Sequence, residues 1–61
     1  MPFVNIKLAG TLTVEQKAQI SKEVTESIAR ISNKPESAVL LLIEEHDRDN
    51  WAKEGKLLSG K

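Results

Sequence analysis

Residues 38–44 place the strongest constraint on how this chain folds. They read Ala-Val-Leu-Leu-Leu-Ile-Glu, which predicts a β-strand that is apolar on both faces. A strand of this kind needs a cover on each face. The chain has only 61 residues, and its one predicted helix can cover a single face. The other face therefore predicts contact with another subunit.

The preceding residues predict a strand and then a helix. In residues 3–8, Val, Ile and Leu alternate with other residues, as in a strand with one apolar face. The helix is predicted from Thr13, which has capping-box spacing to Gln16, to about Ser32, before the helix-ending segment 33–35. We expect its apolar stripe to comprise Val14, Ala18, Val24, Ile28 and Ile31, with Ile20 at the margin.

The segment from Glu45 to Lys61 is mostly polar and predicts a loop followed by a short hairpin around Gly55. A strand–helix–strand crossover is right-handed and joins parallel strands. We therefore expect an α/β (α+β) fold in which a β-α-β protomer has two parallel strands, one long helix and a short C-terminal hairpin. Residues 1–61 are expected to form a single domain that assembles into a homo-oligomer, because a core this small is difficult to stabilise alone.

Composition excludes several classes of protein. Nine Lys and Arg residues balance nine Asp and Glu residues, so the zero net charge predicts no nucleic-acid partner. The chain has no cysteine, which excludes a disulfide framework and a thiolate zinc site and fits a cytoplasmic location. No apolar run approaches the roughly 20 residues of a membrane span. The N-terminal residues lack the pattern of a signal peptide.

The acidic segment 44–49 contains the only histidine, His46, and could suggest a metal site. We expect a solvated turn instead, because adjacent carboxylates at the end of a strand point in different directions. One histidine also cannot form a cluster of His ligands. The sequence therefore predicts no metal site.

Pro2 is the residue with the most distinctive chemistry. Removal of Met1 would leave a secondary amine on a rigid ring, and burial beside apolar side chains would lower the pKa of that amine, so that it could act as a base. Alternatively, Pro2 simply begins a strand, a position that proline tolerates well. Residue chemistry alone favours this second interpretation.

Several segments taken together resemble the 4-oxalocrotonate tautomerase family. They are Met-Pro-Phe-Val-Asn-Ile-Lys-Leu at residues 1–8, Thr-Val-Glu-Gln-Lys at 13–17, the Ile20–Glu26 stretch, Ile-Glu-Glu at 43–45, and Asn50-Trp51 followed by Gly55. The resemblance covers nearly the whole chain. It implies a homohexamer built as a trimer of dimers, with Pro2 as the general base. It also implies a substrate of the 2-hydroxy-dienoate or 2-keto acid type and no cofactor.

The resemblance also implies where other site residues lie, and this sequence departs from the family's pattern at the two arginine positions. Trp51 matches an aromatic position that lines the family's pocket, but the two substrate-binding arginines fall at Leu12 and Leu40. Leucine can neither hold a carboxylate nor stabilise charge that develops on a keto oxygen. We therefore expect a monocarboxylate with an aromatic or alkyl body, or a neutral carbonyl compound, as substrate. Arg48, brought to the pocket by a neighbouring subunit, is the candidate replacement cation; a solvated turn is the simpler interpretation.

Three functions stay open on the sequence. The favoured one is an enol–keto tautomerase that uses Pro2. The alternative is a non-catalytic or partner-dependent subunit of a tautomerase-like oligomer, because both arginine positions are leucine. A third is a small-molecule binding module with a pocket formed by Leu40 and Trp51.

Overall fold

The computed structural model of the protein describes residues 2–61, so Met1, whose removal the Pro2 hypothesis requires, lies outside the described residues. Its elements are β1 (Phe3–Ala9), α1 (Val14–Ser32), β2 (Leu40–His46), β3 (Ala52–Lys53) and β4 (Lys56–Leu57), with single 3-10 turns at Glu36–Ala38 and Arg48–Asn50. The β1 and β2 strands are parallel, in register from Phe3 opposite Leu40 to Ala9 opposite His46. The predicted β-α-β unit and C-terminal hairpin are confirmed.

The position of β2 differs from the predicted range 38–44. Residues Glu36–Ala38 form a 3-10 turn, and the strand begins at Leu40. Pairing starts only where the first strand offers a partner, and the first such bond is donated by the Leu40 N–H to the Pro2 carbonyl at 3.0 Å. At its other end β2 extends to His46, because β1 continues alongside it.

Both ends of α1 are capped by hydrogen bonds, close to the residues where the sequence predicts that the helix begins and ends. The Thr13 hydroxyl accepts a hydrogen bond from the Gln16 N–H at 3.1 Å, and the Gln16 side chain accepts one from the Thr13 N–H at 2.9 Å. At the C-terminal end Asn33 adopts a left-handed conformation with φ 59° and donates back to the Arg30 carbonyl. Within residues 2–61, no helix combines the length and the hydropathy needed to cross a membrane.

The predicted apolar stripe of α1 is wrong at three positions. Val14 and Ile31 are 74% and 75% exposed, and Ala18 is also exposed. Val14 and Ile31 lie in the first and last turns, where a two-stranded sheet gives no cover. The covered face of the helix is centred on Ile28, and Ala18 lies about 80° around the helix from it, near the edge of that face. The covered or half-covered side chains are Lys17, Ile20, Ser21, Val24, Thr25, Ile28 and Ala29.

The isolated protomer has very little core. Within residues 2–61, Ala29 is the only buried apolar residue, and it keeps 7% exposure. The accessible surface is 4851 Å², against about 4,000 Å² expected for a compact monomer of this mass. The radius of gyration is 14.6 Å, against about 10.5 Å expected for a globular chain of this length. These dimensions support the prediction that the chain assembles with other copies.

Within residues 2–61, three of the seven exposed large apolar side chains lie on the side of the β1–β2 sheet that faces away from α1. We call this side the open face; its side chains are Phe3, Asn5, Lys7, Leu40, Leu42 and Glu44. Phe3, Leu40 and Leu42 are 60%, 54% and 46% exposed. Clustered apolar side chains at such exposure mark an interaction surface. The open face therefore supports the subunit contact that the two-sided β2 strand predicts.

Candidate functional site

Pro2 lies at the N-terminal end of the sheet. Its carbonyl oxygen accepts the hydrogen bond from Leu40, and its ring is half-buried. The side chains of Phe3 and Leu40 lie opposite each other on the open face immediately beyond it. Because proline has no N–H to donate to the ladder, this position suits it structurally. The structure therefore brings Pro2 and Leu40 together, as the site hypothesis requires.

Leu12 lies in the β1–α1 loop, at the opposite end of the sheet. Gly10 opens this loop with φ +104° and donates its N–H to the His46 carbonyl at 2.8 Å. A φ near +104° favours glycine, since residues with a side chain rarely adopt it. Leu12 itself is half-buried, and its N–H donates to the Glu45 carboxylate at 2.8 Å. These two hydrogen bonds, one to a backbone carbonyl and one to a side-chain carboxylate, hold the loop against the end of β2.

Glu45 joins this loop to the helix. One carboxylate oxygen accepts the bond from Leu12, and the other pairs with the Lys17 ammonium at 3.0 Å. The backbone hydrogen bond from Leu12 and then the side-chain bond from Lys17 hold the pKa of Glu45 below its ordinary value. Sequence reasoning missed this contact. The signal was available: alternation places Glu45 on the helix side of β2, where an acidic group needs a partner.

Trp51 follows the 3-10 turn that comes after β2. Its indole ring packs edge-to-face on the His46 ring, with centroids 6.1 Å apart and an interplanar angle of 70°. Its carbonyl accepts the N–H of Leu58 at 2.9 Å, which attaches the C-terminal segment. The indole N–H is buried and has no hydrogen-bond partner within residues 2–61. Trp51 is therefore fixed at the same end of the sheet as Leu12.

Arg48 lies in the turn before Trp51, and its exposed side chain extends over the β1–α1 loop. A Cβ placed on Gly10 would lie 3.7 Å from the Arg48 Nε atom and 3.8 Å from its Nη2 atom. The guanidinium therefore rests on the backbone of the loop that carries Leu12. The structure brings Leu12, Arg48 and Trp51 to one end of the sheet.

The two groups of predicted site residues do not meet within one protomer. The seven residues of β1 separate Pro2 from the loop by about 23 Å at 3.3 Å per residue. Leu40 and Trp51 are separated in the same way along β2. A pocket that contains both groups therefore requires a second protomer, with its Trp51 end placed against Pro2.

The acidic segment after Ile43 does not converge on a metal site. Glu44 accepts a hydrogen bond from Asn5 at 2.8 Å on the open face, whereas Glu45 points toward the helix side. The expectation that adjacent carboxylates diverge is confirmed. Within residues 2–61, no three His, Asp or Glu side chains are grouped so that they could hold a metal ion.

Comparison with known proteins agrees with this architecture. Residues 2–61 match the family described as tautomerase enzyme. A probable tautomerase of Lactococcus lactis is 44% identical over 60 residues, which cover 98% of this chain and 88% of that protein. The 2-hydroxymuconate tautomerase of Bacillus subtilis is 36% identical over 59 residues, or 97% and 95% of the two chains.

Solved structures show the same relationship. The crystal structure of YwhB, a homologue of 4-oxalocrotonate tautomerase, superposes with a TM-score of 0.92 at 33% identity and covers 98% of both chains. The fold, the full-length family match and the relatives above 30% identity point to one conclusion. The chain belongs to the 4-oxalocrotonate tautomerase family of the tautomerase superfamily.

Proposed function

We propose that the protein is an enol–keto tautomerase in which Pro2, freed by removal of Met1, is the general base. The observation that carries the proposal is the position of Pro2. It lies half-buried at the start of β1 and beside Leu40, with its nitrogen outside the strand ladder. Apolar neighbours favour the neutral amine over the ammonium form, and the neutral amine is the form that accepts a proton. Family membership supports the isomerase-type activity.

The proposed reaction moves one proton between oxygen and carbon. The Pro2 nitrogen removes the hydroxyl proton of a 2-hydroxy-dienoate, and the O–H electron pair forms the keto C=O bond. The electrons of the adjacent C=C bond then take the proton back from the prolinium at carbon, so that the base is regenerated. The reverse direction starts at a carbon α to the keto group. Nothing is oxidised or reduced in either direction, and no cofactor is part of the proposal.

The proposed active form is a homohexamer, a trimer of dimers, in which each site combines residues of different subunits. The distance between Pro2 and the Trp51 end supports a shared site, and the exposed leucines of the open face support assembly. Leu12, Leu40 and Trp51 would line the pocket, and Arg48 would contact the substrate. The substrate is a 2-keto or 2-enol acid. Residues 1–61 are proposed to act as one domain, and the cytoplasmic location stays a prediction.

The experiment that tests the proposal compares two proline substitutions. We expect Pro2→Ala to lower kcat/KM for ketonisation of phenylenolpyruvate by about 10²–10⁴-fold, the usual contribution of a positioned base. Pro35→Ala is the matched control, because Pro35 precedes the 3-10 turn at Glu36–Ala38 and lies outside the proposed site. Full activity in Pro2→Ala would place the base elsewhere and contradict the proposal.

A second candidate function follows from the two leucines. With Leu40 beside Pro2 and Leu12 in the β1–α1 loop, neither expected arginine position carries a charge. The chain would then be a non-catalytic or partner-dependent subunit that needs an arginine-bearing relative to complete its sites. This candidate predicts that the purified homo-oligomer is inert and gains activity on co-expression with such a relative. Full activity of the homo-oligomer alone would exclude it.

A further inference from the structure

Arg48 is a cation that lies against the β1–α1 loop and has no carboxylate partner in residues 2–61. Its guanidinium nitrogens lie within van der Waals distance of the position of a Gly10 Cβ, against a loop fixed by the backbone bond from Gly10 to His46. The turn that carries Arg48 is closed by a hydrogen bond from the Trp51 N–H to the Arg48 carbonyl at 3.2 Å. The Arg48 side chain therefore extends from this turn across the β1–α1 loop.

Two acidic residues at this end of the sheet pair with other cations, and Asp47, which precedes Arg48, makes no ion pair within 4.0 Å in residues 2–61. Glu45 pairs with Lys17 at 3.0 Å, and Asp49 pairs with Lys61 at 3.5 Å. No ion pair within 4.0 Å joins Arg48 to a carboxylate in residues 2–61. The positive charge of Arg48 is therefore available to a ligand.

One apolar and one aromatic side chain lie on the two segments that Arg48 joins. Leu12 lies two residues beyond Gly10 on the same loop, and Trp51 lies three residues beyond Arg48; both side chains are half-buried. A guanidinium binds a carboxylate through two parallel N–H···O bonds, whereas leucine and tryptophan favour an apolar or aromatic body. One free cation beside such a surface matches a ligand with one carboxylate.

We infer that Arg48 binds the substrate's single carboxylate, which makes it the residue that selects 2-keto and 2-enol monocarboxylates with an apolar body. This inference rests on the proposed function, because it assigns Arg48 of one subunit to the site of another subunit's Pro2. The 2-keto group, on the carbon next to that carboxylate, then lies between Arg48 and Pro2, and the apolar body lies along Leu12 and Trp51.

The test measures ligand binding, so that it does not depend on turnover. Isothermal titration calorimetry of the assembled protein compares 3-phenylpropanoate with 3-phenylpropanamide, which has the same body and no charge. We expect the wild-type protein to bind the carboxylate about 10- to 100-fold more tightly, the usual range for a hydrogen bond to a charged group. Arg48→Gln should abolish this preference, and Arg48→Lys should keep part of it, because lysine keeps the charge and loses the planar fork.

Two further variants separate this inference from the proposed base. Arg30→Gln, which removes an exposed arginine from the last turn of α1, should keep the full preference. Pro2→Ala should also keep it while losing activity. An unchanged preference in Arg48→Gln, or no preference in the wild-type protein, overturns the assignment of Arg48. A preserved preference in a protein without tautomerase activity instead overturns the proposed reaction and leaves the carboxylate site in place. Size-exclusion chromatography of each variant ensures that the same assembly is compared.

Discussion

The Leu40 N–H donates a hydrogen bond to the Pro2 carbonyl oxygen at 3.0 Å, so the first residue of β2 is held beside the proposed base. This contact uses only backbone atoms. The side chain at position 40 can therefore be changed without removing the bond that places it. At 54% exposure in the protomer, that side chain forms part of the surface around Pro2.

Leu40→Arg is expected to extend the substrate range to dicarboxylates. A guanidinium next to Pro2 would supply a second anion site and a donor for the developing charge on the keto oxygen. We predict that kcat/KM for 2-hydroxymuconate rises about 10- to 100-fold, while the value for phenylenolpyruvate changes less. Leu57→Arg, at a similarly exposed position in the hairpin, is the control. Equal changes for the two substrates in Leu40→Arg would contradict the placement of residue 40 in the site.

Leu42→Glu is expected to disrupt assembly. Leu42 lies on the open face opposite Asn5, and Lys7 is the one cation among the side chains of that face. A second carboxylate buried there beside Glu44 in a subunit contact would cost several kcal/mol. We predict a shift to smaller species in analytical ultracentrifugation and a loss of cooperative unfolding. Leu42→Met, which keeps the apolar contact, and Ser27→Glu, which adds charge to an exposed helix position, should both keep the wild-type assembly. An unchanged oligomer in Leu42→Glu would show that this face is not the contact.

Glu45 is expected to make the stability of the protein depend on pH. Its pKa in the folded protein is lowered from the ordinary value of 4.5, so the stabilisation is complete above that value and is lost as the pH falls through the folded pKa. We predict that Glu45→Gln lowers Tm at pH 7 and that the difference from wild type shrinks on acidification below about 4.5. Tm is compared at one protein concentration, because assembly contributes to it.

Glu26→Gln serves as the control for Glu45, because Glu26 lies on the exposed side of α1 and makes neither of the two contacts of Glu45. A constant difference in Tm between wild type and Glu45→Gln across this pH range would show that the carboxylate does not hold the loop.

Local patterns were sufficient to predict most of the fold. The alternation in residues 3–8, the Thr13 capping box and the turn at Gly55 each depend on neighbouring residues, and each is confirmed. The hairpin forms because Glu54 and Gly55 both have positive φ, 54° and 79°, as a two-residue turn between antiparallel strands requires. Interactions between residues this close in sequence can be predicted from a short segment.

The errors came from contacts that are distant in sequence. Val14 and Ile31 follow the helical spacing of the apolar stripe, but they lie beyond the part of the helix that the sheet covers. Spacing within the helix gives no information on how long that covered part is. The start of β2 depends on where β1 offers hydrogen-bond partners, and the Glu45–Lys17 pair joins residues that are 28 apart. The separation of Pro2 from Trp51 likewise follows from the parallel register of the two strands.

The measurement that tests the central claim most directly is the intact mass of the protein after brief exposure to a small propiolate-type electrophile at neutral pH. A free, neutral Pro2 amine in a reachable pocket predicts a wild-type chain that lacks Met1 and gains one label. Pro35→Ala should gain the same label, and Pro2→Ala should not. A wild-type chain that gains no label, or a Pro2→Ala chain that is labelled equally, would contradict the assignment of Pro2 as the catalytic base.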